Sequence, residues 1–251
     1  MIVAYSQDHM RKQIEVLLSV LLLIGSFSCK KEDSTTAPID SSVSISGYVS
    51  PFDEYENPIA DSSGYQVIIQ GTSMAVTTNS AGLWSFTTTT HDPVLVFSKQ
   101  GFATRWLTWG LHSGQNNIGE VRIGRNPPWN VTELQLFFDS TSVRIAGRVS
   151  SPASPGRFRN VILFMNDSRT VSSDPERYRL YYDKTTVRAP GTIFITPDAF
   201  DANYLGMAHG TKVYVAAYGA TPYYGVNTSS VPRPLLSGLS ITATVDSFIV
   251  P

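Results

Sequence analysis

From Val43 onward, apolar and polar residues alternate with period two, and helical periodicity is almost absent. That pattern restricts the chain to half-buried strands, because successive side chains of a strand point to opposite faces. Val43, Ile45, Gly47 and Val49 share one side of a first strand, with Ser42, Ser44, Ser46 and Tyr48 on the other. Tyr65–Gln70 predicts a second strand and Thr72–Thr78 a third, ended by Asn79-Ser80-Ala81-Gly82, whose Asn and Gly suit a tight turn. Leu83–Phe86 begins the return strand, with Trp84 and Phe86 on one face. Pro93–Ser98 and Phe102–Trp109 add two more. Short strands at such spacing predict an all-β sandwich.

Gly124-Arg125-Asn126-Pro127-Pro128-Trp129-Asn130 interrupts the alternation, and paired prolines cannot continue a central strand. A second series follows: Thr132, Leu134, Leu136 and Phe138; Val143, Ile145, Gly147 and Val149; Val161, Leu163 and Met165. Next come Tyr178, Leu180 and Tyr182 on one face, Ile193 and Ile195, Val213, Val215 and Ala217, and a last strand near Ile241–Val250. Seven strands of this kind suit an immunoglobulin- or fibronectin-III-like sandwich. A single cysteine excludes the disulfide-bearing antibody type. The expected fold class is therefore two β-sandwiches in series, residues 43–125 and 131–251.

The first of them carries a family resemblance. Ile45-Ser46-Gly47-Tyr48-Val49, Asn57-Pro58-Ile59, Val67–Thr72, Thr77–Phe86 and Phe97–Thr104 occur in order and together resemble the carboxypeptidase-regulatory-like domain, a transthyretin-type β-sandwich. The likeness covers about Val43 to Gly124. It implies a folding, spacing or docking unit without an active site, of a kind common in outer-membrane receptors and surface lipoproteins.

Ahead of the sandwiches, Arg11 and Lys12 precede an apolar run from Ile14 to Ile24, then Gly25-Ser26-Phe27-Ser28 and Cys29, the only cysteine. A basic start, a short apolar stretch and small residues make a secretory signal, 1–28, with a true start expected at Met10. The run is shorter than the ~20 apolar residues of a membrane span. Ser26-Phe27-Ser28-Cys29 resembles a lipoprotein box, although Ser26 stands where Leu is commonest, and Lys30-Lys31-Glu32-Asp33 resembles the export tag of surface lipoproteins. The resemblance implies a diacylated Cys29, with 29–42 as lipidated cysteine and flexible tether. Thirteen flexible residues, 30–42, typically span roughly 20 Å. With one cysteine no internal disulfide forms, so an exported chain relies on its cores.

Catalytic chemistry is hard to place. His9, His91, His112 and His209 form no HxxE or HExxH arrangement, and no Gly-x-Ser-x-Gly elbow occurs. Asp53-Glu54-Tyr55-Glu56-Asn57 is the densest acidic run; three carboxylates on one loop begin a calcium site, but a solvated loop tip is the preferred reading. Asp167, Asp174, Glu176, Asp198 and Asp201 invite the same discounted reading. A net charge of −1 leaves no footprint for nucleic acid. No cofactor, metal or catalytic residue is expected.

Aromatics remain. Trp106 and Trp109 are three apart, so period two sends them to opposite faces; Tyr181-Tyr182 and Tyr223-Tyr224 are likewise divided. These six residues are the candidate ligand platform, weighed against interdomain packing near Trp129. The expected protein is a non-enzymatic, lipid-anchored outer-membrane protein, exposed at the cell surface. It is expected to present its sandwiches for docking to a protein partner or a glycan. The alternative is an accessory glycan-binding lipoprotein of a polysaccharide uptake system; a hydrolase would need a site that the residues do not reveal.

Overall fold

A computed structural model describes residues 42–90, 92–110, 113–138, 142–188, 193–196, 200–201, 206–228, 233–240 and 244–250. Cys29, the signal 1–28, the tether up to 41, His91, His112 and Asp198 lie outside the described residues. Residues from Ser41 to Pro251 belong to one compact unit. Among the described residues every regular element is a strand, and no helix is long and apolar enough to cross a membrane. The architecture is all-β, with sheets packed as sandwiches.

Seven strands build the first sandwich: β1 (Val43–Phe52), β2 (Gln66–Ile69), β3 (Ala75–Thr77), β4 (Leu83–Thr88), β5 (Val94–Ser98), β6 (Arg105–Thr108) and β7 (Gly114–Gly124). They form two sheets, β4-β1-β7 and β3-β2-β5-β6. Val43, Ile45 and Val49 of β1 meet Tyr65, Val67, Ile69, Leu95 and Phe97 across the interior, with Trp84 among them. Trp84 lies edge-on to Phe97 at 5.3 Å between ring centres. Gly47 makes room for it: a Cβ at that position would come within 2.9 Å of the indole.

Within the first sandwich, β7 is the strand that the alternation did not predict. It pairs in parallel with β1, and the register slips between Asn117 and Glu120, where Gly119 adopts φ 77°. An inserted residue reverses the alternation, so the strand reads as polar although Val121 and Ile123 are buried.

In the second sandwich, β8 (Val131–Phe138) pairs with β9 (Ser142–Val149); β12 (Ile193–Ile195) and β13 (Phe200–Asp201) line the opposite edge of β9. The facing sheet runs in the order β11 (Leu180–Arg188), β10 (Phe158–Asn166), β14 (Lys212–Ala220), β17 (Thr244–Ile249). Val131, Val143, Ile145, Val161, Leu163, Met165, Val213, Val215 and Phe248 fill the interior with Trp129. The second face of this sheet is also covered. Ile162, Phe164, Ala216 and Tyr218 are buried with Val171, Tyr178 and Leu236, the last from β16 (Leu235–Leu236), which pairs with β15 (Val226–Asn227). Tyr178 and Tyr182 therefore do not share a face: Tyr178 lies between a turn and β11 and packs on the outer side, whereas Tyr182 enters the interior.

The two cores meet along a continuous seam. Gly124 N donates to the Tyr223 carbonyl (3.4 Å), Ser237 Oγ to the Thr104 carbonyl (2.5 Å), and Arg105 Nη1 to the Tyr224 carbonyl (3.0 Å). Contact is so close that a Cβ on Gly124 would fall 1.7 Å from Thr221 Oγ1.

The acidic run is only in part a solvated tip: Glu56 and Asn57 are exposed, while Asp53, Glu54 and Tyr55 are part-buried at this seam. Asp53 accepts hydrogen bonds from Tyr55 N, Asn57 N and Asn57 Nδ2. Those bonds, with Arg157 nearby, outweigh burial and hold its carboxyl below the usual value. Arg157 reaches the Tyr55 carbonyl and Asn57 Oδ1, while Ser154 N donates to Tyr55 Oη. Glu54 Oε1 lies 3.7 Å from Arg159 Nη2, and the two side chains are 15% and 6% exposed. Arg159 is sandwiched between the rings of Tyr55 and Trp129, at 5.4 and 5.0 Å.

Candidate functional site

The outward face of β4-β1-β7 gathers exposed side chains that β1 positions by alternation. Residues with odd numbers from Val43 to Val49 face the core, which turns Ser44, Ser46, Tyr48, Ser50 and Phe52 outward. Register places Thr87, Ser85 and Leu83 of β4 beside Ser44, Ser46 and Tyr48. On the other flank, Gln115, Asn117, Glu120 and Arg122 of β7 stand beside Ser44, Ser46, Tyr48 and Ser50. Tyr48 and Leu83 are directly opposed and 41% and 53% exposed, an aromatic–aliphatic pair left in solvent.

A groove of about 630 Å³ runs beside this pair, lined by Ser46, Tyr48, Thr77, Asn79, Leu83 and Asn117 among others. Both asparagines are fixed by their own turns. Asn79 Oδ1 accepts from Ala81 N and Leu83 N (2.9 and 3.0 Å), and Asn117 Oδ1 from Gly119 N (2.9 Å). Each amide oxygen is thus engaged, and each side-chain NH2 is left as a donor to whatever enters the groove.

Charge on the face cancels. Arg122 Nε donates to Glu120 Oε2 at 2.8 Å, and that bond, followed by one from Ser50, holds the Glu120 carboxyl below its ordinary value. At the far end of β1, Phe52 packs against Tyr223 with ring centres 4.7 Å apart. The Arg122 guanidinium lies over both rings, at 5.6 and 5.8 Å.

The six aromatics expected to form a platform occupy separate places. Trp106 sits half-buried on β6 opposite Val96, on the side away from the core residues Leu95 and Leu107. Trp109 follows that strand and is 44% exposed. Tyr182, 5% exposed, belongs to the second interior and offers no ring to solvent. Tyr181 packs on Phe164 and Tyr178. Tyr224 is half-buried at the seam, where its hydroxyl donates to Asp183 Oδ2 (2.5 Å); burial first, then that bond, raises its pKa. Tyr223 alone joins the face of β1. Sequence reasoning passed over Tyr48, Phe52, Leu83, Asn79 and Asn117, although Tyr48 already stood on the outward side of the first alternation and Asn79 in the turn signal.

Among the described residues, no group of three or more His, Cys, Asp or Glu side chains is placed to hold a metal ion. No family model and no curated protein matches the chain. Solved structures that align with it include a "putative carbohydrate binding protein" from Bacteroides uniformis, at 13% identity over 82% of this chain and 98% of that one, TM-score 0.29. A DUF3823 family protein from Parabacteroides merdae aligns at 11% identity over 79% and 96%, TM-score 0.28. A chain of a type II cohesin–X-dockerin complex from Acetivibrio cellulolyticus aligns at 15% identity over 34% of this chain, TM-score 0.29, and the match spans 58% of that chain. Likenesses at this level assign neither a family nor a function.

Proposed function

We propose that this chain is a non-enzymatic envelope protein, tethered to the outer membrane by lipid on Cys29 and displayed at the cell surface, whose paired sandwiches present a recognition surface. The observation that carries the recognition role is the exposed, charge-balanced face of β1, with Tyr48 opposed to Leu83 above a groove. Such a face, neither catalytic nor strongly charged, suits reversible binding. Residues 43–125 are read as the carboxypeptidase-regulatory-like sandwich and 131–251 as a second domain. In support, the five quoted segments fall on β1, the loop before β2, β2, the β3–β4 connection and the β5–β6 turn.

Metabolic labelling with a fatty-acid analogue tests the anchor: wild type takes up label and Cys29→Ser does not. Equal labelling sinks the anchor, and resistance of the chain to protease on intact cells sinks outward display. A second reading, an accessory glycan-binding lipoprotein, is favoured by the free amide nitrogens of Asn79 and Asn117 beside the Tyr48 ring.

A further inference from the structure

We infer that the outward face of β4-β1-β7 binds an extended, uncharged polysaccharide lying along β1, with Tyr48 as its stacking platform and the Asn79 and Asn117 amide groups as its orienting donors. This deepens the recognition reading and rests on it.

Four features select that ligand. A pyranose chain offers apolar C–H faces and hydroxyl edges, so it needs an aromatic ring flanked by hydroxyl and amide groups. The face supplies them: Tyr48 stands between Leu83 and Glu120, and the next outward position, Ser46, stands between Ser85 and Asn117, all but Glu120 lining one groove. Charge is the second feature. Glu120 and Arg122 neutralise each other at 2.8 Å, so neither is left to recruit an acidic or a cationic chain. Length is the third: Tyr48 and the Phe52–Tyr223 pair, which Arg122 covers on one side, are four strand residues apart, about 13 Å, which leaves room for a few sugar units along β1. The fourth is the set of hydroxyls beside the Tyr48–Leu83 pair, from Ser46 and Ser85 at the next outward positions and Thr77 in the groove. A protein partner would bury a broader apolar patch at the centre of its contact than this pair provides.

Affinity electrophoresis and titration calorimetry of the full chain against mixed-linkage β-glucan, xyloglucan and galactomannan, with polygalacturonate as the acidic counterpart, test the assignment. At least one neutral polymer is expected to retard and bind the wild type, and polygalacturonate is not. Tyr48→Ala is expected to weaken binding about tenfold and Tyr223→Ala several-fold, as loss of a stacked ring dictates. Asn117→Asp keeps the acceptor for Gly119 N but loses the donor, so it is expected to weaken binding about tenfold without loosening the turn. Ile195→Ala, on the exposed side of β12, is the unaffected control. Thermal midpoints of the variants separate lost binding from lost folding. No binding by any neutral polymer, a preference for polygalacturonate, or full affinity in folded Tyr48→Ala and Asn117→Asp each overturns the inference. If a photocrosslinker placed at position 48 instead joins a defined receptor protein on intact cells, the polysaccharide fails while the recognition reading stands.

Discussion

Glu54 and Arg159 form the most buried ion pair among the described residues. Arg159 also donates to the Ser151 carbonyl and hydroxyl, at 2.5 and 2.9 Å, so its charge is partly supported without Glu54. Removing one partner of a buried pair strands the other, and Glu54→Gln is expected to cost about 3 kcal/mol in urea unfolding. Asp61→Asn, which breaks an exposed pair with Lys99, is expected to leave the midpoint in place. Titration gives an independent check at the same scale. Burial, then the neighbouring Tyr181, pushes the Tyr178 hydroxyl up to about 12 from 10, and it donates to the Pro234 carbonyl. A group whose pKa is raised on folding stabilises the native state below its unfolded value. That stability is lost as pH climbs from about 10 towards 12. Denaturant midpoints measured from pH 9 to 12 are expected to fall across that window in wild type and to fall less in Tyr178→Phe. The lowered Asp53 acts in the opposite sense, stabilising above 3.8 and losing that contribution as pH falls through its folded value.

At the scale of elements, the sheets show what period two reveals and what it hides. β1, β4, β8 and β9 were legible because one face of each is mainly apolar and the other mainly polar, and β5 because it is a short apolar run, buried on both faces at Val96 and Phe97. β7 was not, because its bulge reverses the alternation, and its partner is the first strand, some seventy residues earlier. β10 and β14 were half-legible: Val161, Leu163 and Met165 marked one buried face, but Ile162 and Phe164 are buried on the other by a loop and the β15–β16 pair. Periodicity reports one apolar face; it does not report a lid. The candidate face stayed hidden for a related reason, since Tyr48, Leu83 and Asn117 come from three strands and only register unites them. Close packing between elements makes its own prediction. Gly124→Ala drives a methyl into Thr221 and is expected to lower stability by about 2–3 kcal/mol, with Thr221→Ala recovering part of the loss. Additive losses in the double variant would show that the two residues do not collide.

For the whole molecule, the question is whether the two cores behave as separate domains. Separate hydrophobic cores, one from residues 43–123 and another from 129–250, would suggest independent folding. The seam argues otherwise. Glu54, Tyr55 and Asn57 grip Ser154, Arg157 and Arg159, Thr104 holds Ser237, and Gly124 holds Tyr223. Separating the two sides would break the Glu54–Arg159 pair and uncover Phe52 beneath Tyr223, a loss of several kcal/mol that is comparable with the roughly 5–15 kcal/mol by which small domains are stable. The cores are therefore expected to unfold together. Scanning calorimetry of the full chain should give one transition, with the calorimetric and van't Hoff enthalpies equal. Glu54→Gln combined with Arg157→Ala should split it, the weaker core melting first. Two resolved transitions in wild type would mean that the seam is only contact between neighbours. Coupled unfolding would have a mechanical consequence under the anchoring at Cys29 that we propose. A load applied at the face of β1 would be borne by both cores at once, so the first sandwich could be pulled upon without being peeled from the second.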